Sequence, residues 1–276
     1  MKGYTIERRS IPSSAGNMNI LILQPTENKK SPEETPAVLW IHGGGYVSGL
    51  AWMVLWSRAV RLVKQYGAVV ISPEYRLAGK APYPAALEDC YTALLYLKEH
   101  AAEFDCCPDR IMVGGESAGG GLTAALCVYA RDWGKVKIAF QMPLYPMIDD
   151  RDTDSSRHNH AFPWNTRRNH AAWKRYLADV TGDTPPYAAP ARLKDYSALP
   201  PAYTFVGNKE PFYCETLSYI ENLQKAGVQA HVDVYPTSFH AFDMLLPFLK
   251  MSRRAIKAFE KQYLYAAEHY IAKQDQ

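Results

Sequence analysis

The sequence has no strong charge bias, no long apolar run and few cysteines. Its formal net charge of +3 is too small to indicate a nucleic-acid or membrane-surface partner. No run of about 18 apolar residues is present, and the N-terminus carries no apolar core of a secretory signal, so we expect a cytoplasmic protein. The five cysteines are odd in number and match no zinc template, so we expect free thiols that mostly pack in the interior.

Short apolar segments of strand length alternate with segments of helical periodicity over most of the 276 residues. Residues 4–11 and 18–24 flank a turn-forming stretch, which predicts an antiparallel hairpin at a sheet edge. Further strands are predicted at residues 36–41, 68–72, 110–113, 136–142, 202–206 and 228–235, and helices at residues 54–66, 85–101, 122–130, 212–226 and 251–272. This alternation predicts a mostly parallel sheet with helices on both faces.

A polar segment interrupts the alternation after the sixth predicted strand. Residues 147–195 hold many acidic, arginine and histidine side chains and one predicted helix, at residues 169–180. An excursion of this length between two core strands is usually functional. We therefore expect a core of residues 1–146 and 196–276 that carries residues 147–195 as a small lid over a functional site.

The glycine-rich stretch around Ser117 is the strongest local signal in the chain. Gly115-x-Ser117-x-Gly119 follows a short apolar strand and precedes a helix-forming run, which is the context of a nucleophile elbow. Glycines flank the serine in such an elbow because the turn is too sharp for side chains. The alternatives are a glycine-rich turn with an incidental serine and a phosphate loop, but a Walker-type loop would need a lysine that this stretch lacks.

A serine nucleophile needs a base, and the base needs a carboxylate that orients it. Both are expected just after strands, because sites in parallel sheets lie at the carboxyl ends of the strands. His240 follows the last predicted strand, and Glu210 follows the strand before it. The alternatives are that Glu210 only begins a helix, or that Asp233 or Asp243 is the acid. The order Ser117, Glu210, His240 is the order found in α/β-hydrolases.

Ester or amide chemistry on a serine also needs backbone donors for the oxyanion. The N–H of Ala118 is one expected donor, and the turn Gly43-Gly44-Gly45, directly after a buried strand, is expected to supply two more. The alternative for the triple glycine is a flexible linker, but linkers do not usually begin at the end of an apolar strand. His42 is then expected to brace this turn rather than to transfer protons.

These motifs together resemble those of the bacterial hormone-sensitive-lipase-like esterases, which have the α/β-hydrolase fold. The resemblance runs collinearly over roughly residues 36–245. The matching stretches are His42-Gly43-Gly44-Gly45, Tyr75-Arg76-Leu77-Ala78, Pro84-Ala85-Ala86-Leu87-Glu88-Asp89, Gly115-Glu116-Ser117-Ala118-Gly119-Gly120, Leu199-Pro200-Pro201, and residues 226–228 through 240–242. The resemblance implies that Gly44 and Gly45 join Ala118 in the oxyanion hole, and that short-chain carboxylic esters are hydrolysed without a cofactor.

The sequence departs from that family in several places. Glu210 stands where the family usually has aspartate, so the acid is longer by one methylene, and we expect activity to be kept. Gly79 replaces a common proline, and Cys214 replaces a frequent aspartate. The family also builds part of its cap from N-terminal helices, whereas a strand is predicted here almost at once. The cap is therefore expected to come mainly from residues 147–195 and to leave a reduced, more open site.

The first interpretation is a serine carboxylesterase that acts on a small-molecule ester through an acyl-enzyme on Ser117. The alternatives are a deacetylase of acetylated sugars or small polar esters, favoured by the polar segment, and a formamidase-like amide hydrolase. A non-catalytic ligand-binding member of the fold is a further alternative, although such proteins tend to lose the serine or the histidine. His158 and His160 lack a third ligand at a suitable spacing, so no metal site is expected. A homodimer through an edge strand or the last helix is compatible with the family.

Overall fold

The computed structural model describes residues 3–27 and 30–275, which form one eight-stranded sheet with helices on both faces. The strands are β1 (Tyr4–Ser13), β2 (Gly16–Pro25), β3 (Ala37–Ile41), β4 (Val69–Pro73), β5 (Ile111–Glu116), β6 (Phe140–Leu144), β7 (Ala202–Gly207) and β8 (Ala230–Tyr235). The helices are α1 (Ala59–Tyr66), α2 (Ala85–Glu99), α3 (Ala118–Trp133), α4 (Thr166–Tyr176), α5 (Tyr213–Lys225), α6 (Phe242–Leu245) and α7 (Lys250–His269). Short 3₁₀ helices at Pro32–Glu34, Ala51–Trp56, Pro108–Arg110 and Pro190–Arg192 lie in the connections.

The strands lie in the order β1-β2-β4-β3-β5-β6-β7-β8. The β1–β2 and β2–β4 pairs are antiparallel, and the neighbouring pairs from β4 to β8 are parallel. The tight turn that pairs Ser13 with Gly16 joins β1 to β2. The mostly parallel sheet with an antiparallel hairpin at its edge is the α/β-hydrolase architecture predicted from the alternation of elements, and that prediction is confirmed.

Side chains of the central strands alternate between two apolar layers. In β3, Leu39 and Ile41 join the layer covered by α2, α3 and α5, whereas Val38 and Trp40 join the layer covered by α1 and α7. Both faces of β3, β4 and β5 are buried, which explains why these strands appear in the sequence as continuous apolar runs. The core therefore holds the carboxyl ends of the strands in fixed positions.

Several element boundaries differ from those predicted. The predicted helix at residues 54–66 is divided into the 3₁₀ helix Ala51–Trp56 and α1. The predicted strand at residues 136–142 becomes β6, which begins only at Phe140; Val136 and Ile138 are buried in the connection instead. The predicted helix at residues 169–180 becomes α4, which begins earlier because the Asn165 side chain accepts the Arg168 N–H and caps it.

The state of the cysteines and the character of the helices can be compared directly with the sequence. All five cysteines are free thiols, and Cys90, Cys106 and Cys127 are buried, as predicted for packing residues. Within residues 3–27 and 30–275, no helix is both long enough and apolar enough to cross a membrane.

The polar segment between β6 and β7 lies across the turn that follows β3. Trp173 and Tyr176 of α4 pack against Tyr46, with ring centroids 5.5 and 4.0 Å apart. The carbonyl of Tyr176 also accepts a hydrogen bond of 2.8 Å from the Tyr83 N–H. The segment is thereby fixed to the core close to the glycine turn.

Candidate active site

The residues predicted to carry the chemistry follow the ends of four strands in the parallel part of the sheet. Ser117 comes directly after β5, and the triple-glycine turn begins two residues after β3. Glu210 lies in the loop after β7, and His240 lies in the loop after β8. These strands are parallel, so their carboxyl ends meet at one edge of the sheet.

Ser117 occupies a strained backbone conformation between β5 and α3. Its φ of 58° and ψ of −118° are costly for a residue with a side chain. A Cβ at Gly115 or Gly119 would lie 2.5 or 2.1 Å from the Ile41 carbonyl oxygen, so neither position accepts a side chain. The Ser117 N–H donates to the Leu144 carbonyl at 3.0 Å. The surrounding chain therefore holds the sharp turn that carries the serine side chain.

Ser117, His240 and Glu210 form a continuous hydrogen-bonded chain. Ser117 Oγ lies 2.9 Å from His240 Nε2, and His240 Nδ1 donates to Glu210 Oε2. The other carboxylate oxygen, Glu210 Oε1, accepts the Gly207 N–H at 2.7 Å. Because an ionised carboxylate only accepts, the ring proton stands on Nδ1 and leaves Nε2 free to accept the serine proton.

The histidine and its acid are shielded from water. Glu210 is 0% exposed and His240 is 4% exposed. The rings of Tyr145 and Phe212 pack edge-on against the imidazole, with centroids 5.1 and 5.0 Å away. These two ring contacts, together with the hydrogen bonds at both ring nitrogens, restrict the orientation of the imidazole.

The two other candidate acids have different partners. Asp233 accepts the Tyr203 hydroxyl at 2.7 Å and contacts His231 at 3.1 Å. Asp243 is buried, accepts the Tyr145 hydroxyl at 2.9 Å and lies 3.3 Å from Arg58 Nε. Among the described residues, Glu210 is the carboxylate that contacts the His240 ring.

A buried charged cluster that sequence reasoning missed lies beneath the serine and the histidine. Glu116 accepts the Trp40 indole N–H at 2.9 Å, and it shares its surroundings with Asp243 and Arg58. Burial, reinforced by the charge of Asp243, raises the pKa of Glu116 to about 8. Burial also raises the pKa of Asp243. A sequence signal did exist, because Glu116 is a charged residue at the end of an apolar strand.

The triple-glycine turn approaches the serine closely. A Cβ at Gly43 would lie 3.3 Å from Ser117 Cβ. Gly44 and Gly45 have φ values of +124° and +61°, in the region that favours glycine. The N–H groups of Gly44, Gly45 and Ala118 donate to no acceptor among the described residues. They are therefore the backbone donors available beside the serine hydroxyl.

The side chain of His42 contacts and supports the triple-glycine turn. Its Nδ1 donates to the Gly43 carbonyl at 2.8 Å, and its ring stacks on Tyr75 with centroids 4.1 Å apart. The Tyr75 hydroxyl donates in turn to the His42 carbonyl at 3.0 Å. Burial lowers the pKa of His42 to about 4, so the ring is neutral at physiological pH. These contacts agree with a bracing role.

Two aromatic side chains of residues 147–195 contact the glycine turn and the neighbour of His240, and the sequence provided no signal for them. A Cβ at Gly45 would lie 2.3 Å from Trp164 Cη2, so the indole rests on the turn itself. Trp164 also packs near Phe212, with centroids 6.4 Å apart. Phe162 packs edge-on against Phe239, the neighbour of His240, at 5.6 Å. The segment therefore contributes an apolar wall, formed by the Trp164 indole, against the glycine turn.

Six of the charged or titratable residues of the same segment pair with one another. Side-chain contacts of 2.8, 2.6 and 2.7 Å join the three following pairs: Asp149 with Arg151, Asp150 with Arg192, and Asp152 with His170. His158, His160 and His170 line an open surface cavity of about 500 Å³. In the described part of the chain, no three histidine, cysteine or acidic side chains are arranged to hold a metal ion.

Comparison with known proteins gives consistent matches. A family model described as the alpha/beta hydrolase fold matches residues 38–244. Esterase LipI of Mycobacterium tuberculosis is 35% identical over 216 residues, which are 76% of this chain and 66% of LipI. An acetyl-hydrolase of Streptomyces hygroscopicus is 30% identical over 80% of this chain and 72% of its own length. The solved structure of a bacterial heroin esterase superposes with a TM-score of 0.87 at 34% identity, over 93% of this chain and 82% of that one. The chain thus spans about two thirds of the length of LipI.

Proposed function

Because the chain belongs to the α/β-hydrolase fold family, among its hormone-sensitive-lipase-like carboxylesterases, we propose that it is a serine esterase for short-chain acyl esters. The observation that carries this proposal is the hydrogen-bonded chain from Ser117 Oγ through His240 to Glu210. A serine with such a partner is activated as a nucleophile, and the adjacent N–H groups suit a developing oxyanion. The relatives with esterase names support the same chemistry.

In the acylation step, Ser117 Oγ forms a bond to the ester carbonyl carbon while His240 Nε2 takes the hydroxyl proton. The carbonyl π electrons move to oxygen, and the N–H groups of Gly44, Gly45 and Ala118 donate to that oxyanion. Glu210 stabilises the resulting imidazolium through Nδ1. When the intermediate collapses, the C–O bond to the alcohol breaks and His240 returns its proton to the departing oxygen.

Deacylation repeats the route with water as the nucleophile. His240 Nε2 removes a proton from water as the water oxygen attacks the acyl carbon, and the same three N–H groups receive the oxyanion. Collapse of this second intermediate breaks the bond to Ser117 Oγ, which regains its proton from His240. The products are a carboxylic acid and a free enzyme, and no cofactor enters the balance.

The surroundings of Ser117 favour small acyl groups. Ser117 is only 7% exposed, and Trp164 lies against the glycine turn that approaches the serine. Residues 147–195 act in this proposal as a reduced cap on a core of residues 1–146 and 196–276. One relative is named an acetyl-hydrolase, which agrees with a preference for short chains.

The test is hydrolysis of p-nitrophenyl esters from acetyl to dodecanoyl by the wild type and Ser117→Ala. We expect the highest kcat/KM on acetyl to hexanoyl esters, and turnover in Ser117→Ala near the uncatalysed rate. Ser197→Ala is the matched control, because Ser197 is exposed and lies outside the site. Turnover unchanged in Ser117→Ala would refute the nucleophile.

Two parallel substrates separate the alternatives. Hydrolysis of p-nitroacetanilide in preference to the acetate ester would indicate an amide hydrolase. Release of acetate from an acetylated sugar, much faster than from p-nitrophenyl acetate, would indicate a sugar deacetylase. No turnover on any of these would favour a binding role.

A further inference from the structure

Glu215 is a buried carboxyl on α5 for which the proposed mechanism has no use. It is 2% exposed and lies on the apolar side of the helix between Phe212 and Tyr219. A charged residue is seldom placed there without a partner, since burial of an unpaired polar group is costly. The helix begins three residues after Glu210, so Glu215 belongs to the same part of the chain as the proposed acid.

Glu215 holds the first residues of the polar segment. Its Oε1 accepts two backbone hydrogen bonds, from the Ile148 N–H at 2.7 Å and from the Asp149 N–H at 3.1 Å. Its Oε2 is buried with no partner among the described residues. Burial raises the pKa of this carboxyl well above its usual range, which favours the protonated form.

Met147, which precedes Ile148 and Asp149, connects two parts of the proposed active site. The Met147 N–H donates to the Ser117 carbonyl at 3.0 Å, and the Met147 carbonyl accepts the buried Tyr46 hydroxyl at 2.6 Å. Tyr46 directly follows the glycine turn and has a φ of +63°. Met147 thus joins the strained serine to the end of the turn that carries Gly44 and Gly45.

We propose that Glu215 is a positioning residue that holds residues 147–149 so that Met147 keeps the serine and the oxyanion donors in register. The inference rests on the proposed function of Ser117 as a nucleophile. Residues 147–149 belong to no helix or strand, so the two bonds to Glu215 replace the backbone pairing that a regular element would supply. A small displacement of Met147 moves the serine and the turn relative to each other, and reaction rates are sensitive to such displacements.

The test compares Glu215→Leu, which removes both acceptors, with Glu215→Gln, whose amide oxygen keeps one acceptor in the same place. Glu221→Leu is the matched control, because Glu221 is exposed on the same helix and pairs with Lys225. We expect kcat on p-nitrophenyl acetate to fall about 10- to 100-fold in Glu215→Leu. KM should change less than about threefold, and Glu215→Gln should recover most of the rate.

The rates are expressed per intact site, counted by the burst of nitrophenol from a phosphonate that labels the serine. A merely structural role for Glu215 would lower the melting temperature and the labelled fraction but leave kcat per labelled site unchanged, and that result overturns the proposal. Tyr46→Phe is the second variant, should Glu215→Leu not fold. It deletes only the hydroxyl bonded to Met147, and we expect a fall in kcat of about 3- to 10-fold.

The outcomes distinguish this inference from the function on which it rests. A wild type that neither hydrolyses esters nor reacts with the phosphonate overturns both. If the wild type is active and Glu215→Leu has the same kcat per labelled site, the positioning role alone is overturned. If Glu215→Leu does not fold, an unchanged kcat per labelled site in Tyr46→Phe overturns it. Loss of kcat in Glu215→Leu together with recovery in Glu215→Gln supports it.

Discussion

The proposed acid, Glu210, is the residue at which this chain departs most clearly from the usual pattern of its family, and it provides the sharpest prediction. Its carboxylate makes two contacts at once, with the Gly207 N–H through Oε1 and with His240 Nδ1 through Oε2. Glu210→Gln keeps the length of the side chain and removes its charge, whereas Glu210→Asp keeps the charge and shortens the side chain by one methylene. They disturb different parts of this arrangement, so together they test the charge and the length of the acid.

In Glu210→Gln, the amide oxygen can still accept the hydrogen bond from the Gly207 N–H. The amide NH₂ group then faces His240 Nδ1. The ring must then accept at Nδ1 and carry its proton on Nε2, where it faces Ser117 Oγ and cannot act as a base. A wrong tautomer of this kind costs about 10⁴-fold in kcat, which corresponds to about 5.5 kcal/mol of transition-state stabilisation. We therefore expect kcat/KM on p-nitrophenyl acetate to fall about 10³- to 10⁴-fold.

Glu210→Asp restores the residue common in the family, yet we expect it to impair this enzyme. The side chain is one methylene shorter, so it cannot span from the Gly207 N–H to His240 Nδ1 unless the backbone moves. A loss of about 10- to 100-fold follows from the misplaced imidazole. Asp233→Asn is the control, since Asp233 is a half-exposed carboxylate bonded to Tyr203, and its rate should stay within about twofold.

The assay is initial-rate kinetics at pH 8 on purified variants, normalised to sites labelled by a phosphonate, with melting temperatures recorded beside it. Glu210→Gln that keeps more than about a tenth of the wild-type kcat/KM would refute the role of Glu210 and return Asp243 to consideration. Glu210→Asp with full activity would refute only the geometric part, because it would show that the loop adapts to either acid.

Three further predictions follow from single contacts. Gly44→Ala places a Cβ 2.0 Å from a backbone oxygen of the same turn, so kcat should fall about 10²-fold by steady-state assay, while Gly79→Ala, with open space around it, should not change. Trp164→Ala removes the wall over the glycine turn, so the ratio of kcat/KM for octanoyl to acetyl esters should rise about tenfold; an unchanged ratio would place the acyl group elsewhere. Glu116 has a pKa of about 8 when folded and near 4.5 when unfolded, so its proton favours the folded state and stability is lost as pH rises from about 4.5 through 8. The melting temperature of Glu116→Gln minus that of the wild type should therefore be larger at pH 9 than at pH 5. A difference that does not change with pH would contradict the raised pKa of Glu116.

The sheet and the serine motif were predictable because they depend on short-range patterns. Apolar runs report strands, and the spacing of Gly115, Ser117 and Gly119 reports a turn with a specific steric need. Glu210 and His240 required one further rule, that residues after parallel strands meet at one edge. Helix ends were predicted less well, because packing and capping decide them, as Asn165 does for α4.

The position of Trp164 against the glycine turn was not predictable from the same patterns. Trp164 lies in a polar segment without helical or strand periodicity, and only the path of that segment brings its indole onto Gly45. Glu215 was closer to detection, because a carboxyl on the apolar face of a predicted helix breaks the pattern. Its partners, however, are backbone N–H groups at residues 148 and 149, and backbone donors leave no mark in a sequence.

Asp243 shows why nearness in the sequence does not by itself identify a partner for the histidine. It is acidic and only three residues from His240, yet its carboxylate contacts Tyr145 and Arg58, which are 98 and 185 residues away in the chain. Among the described residues, Arg58 is the cation that lies beside two buried carboxyl groups, Asp243 and Glu116, so protonation of one carboxyl balances the charges of the cluster. A carboxyl in such a cluster cannot also provide a fixed negative charge to the imidazole. Glu210, by contrast, accepts a neutral N–H on its other oxygen, and in the proposed mechanism its carboxylate faces the imidazolium that would form when the serine attacks.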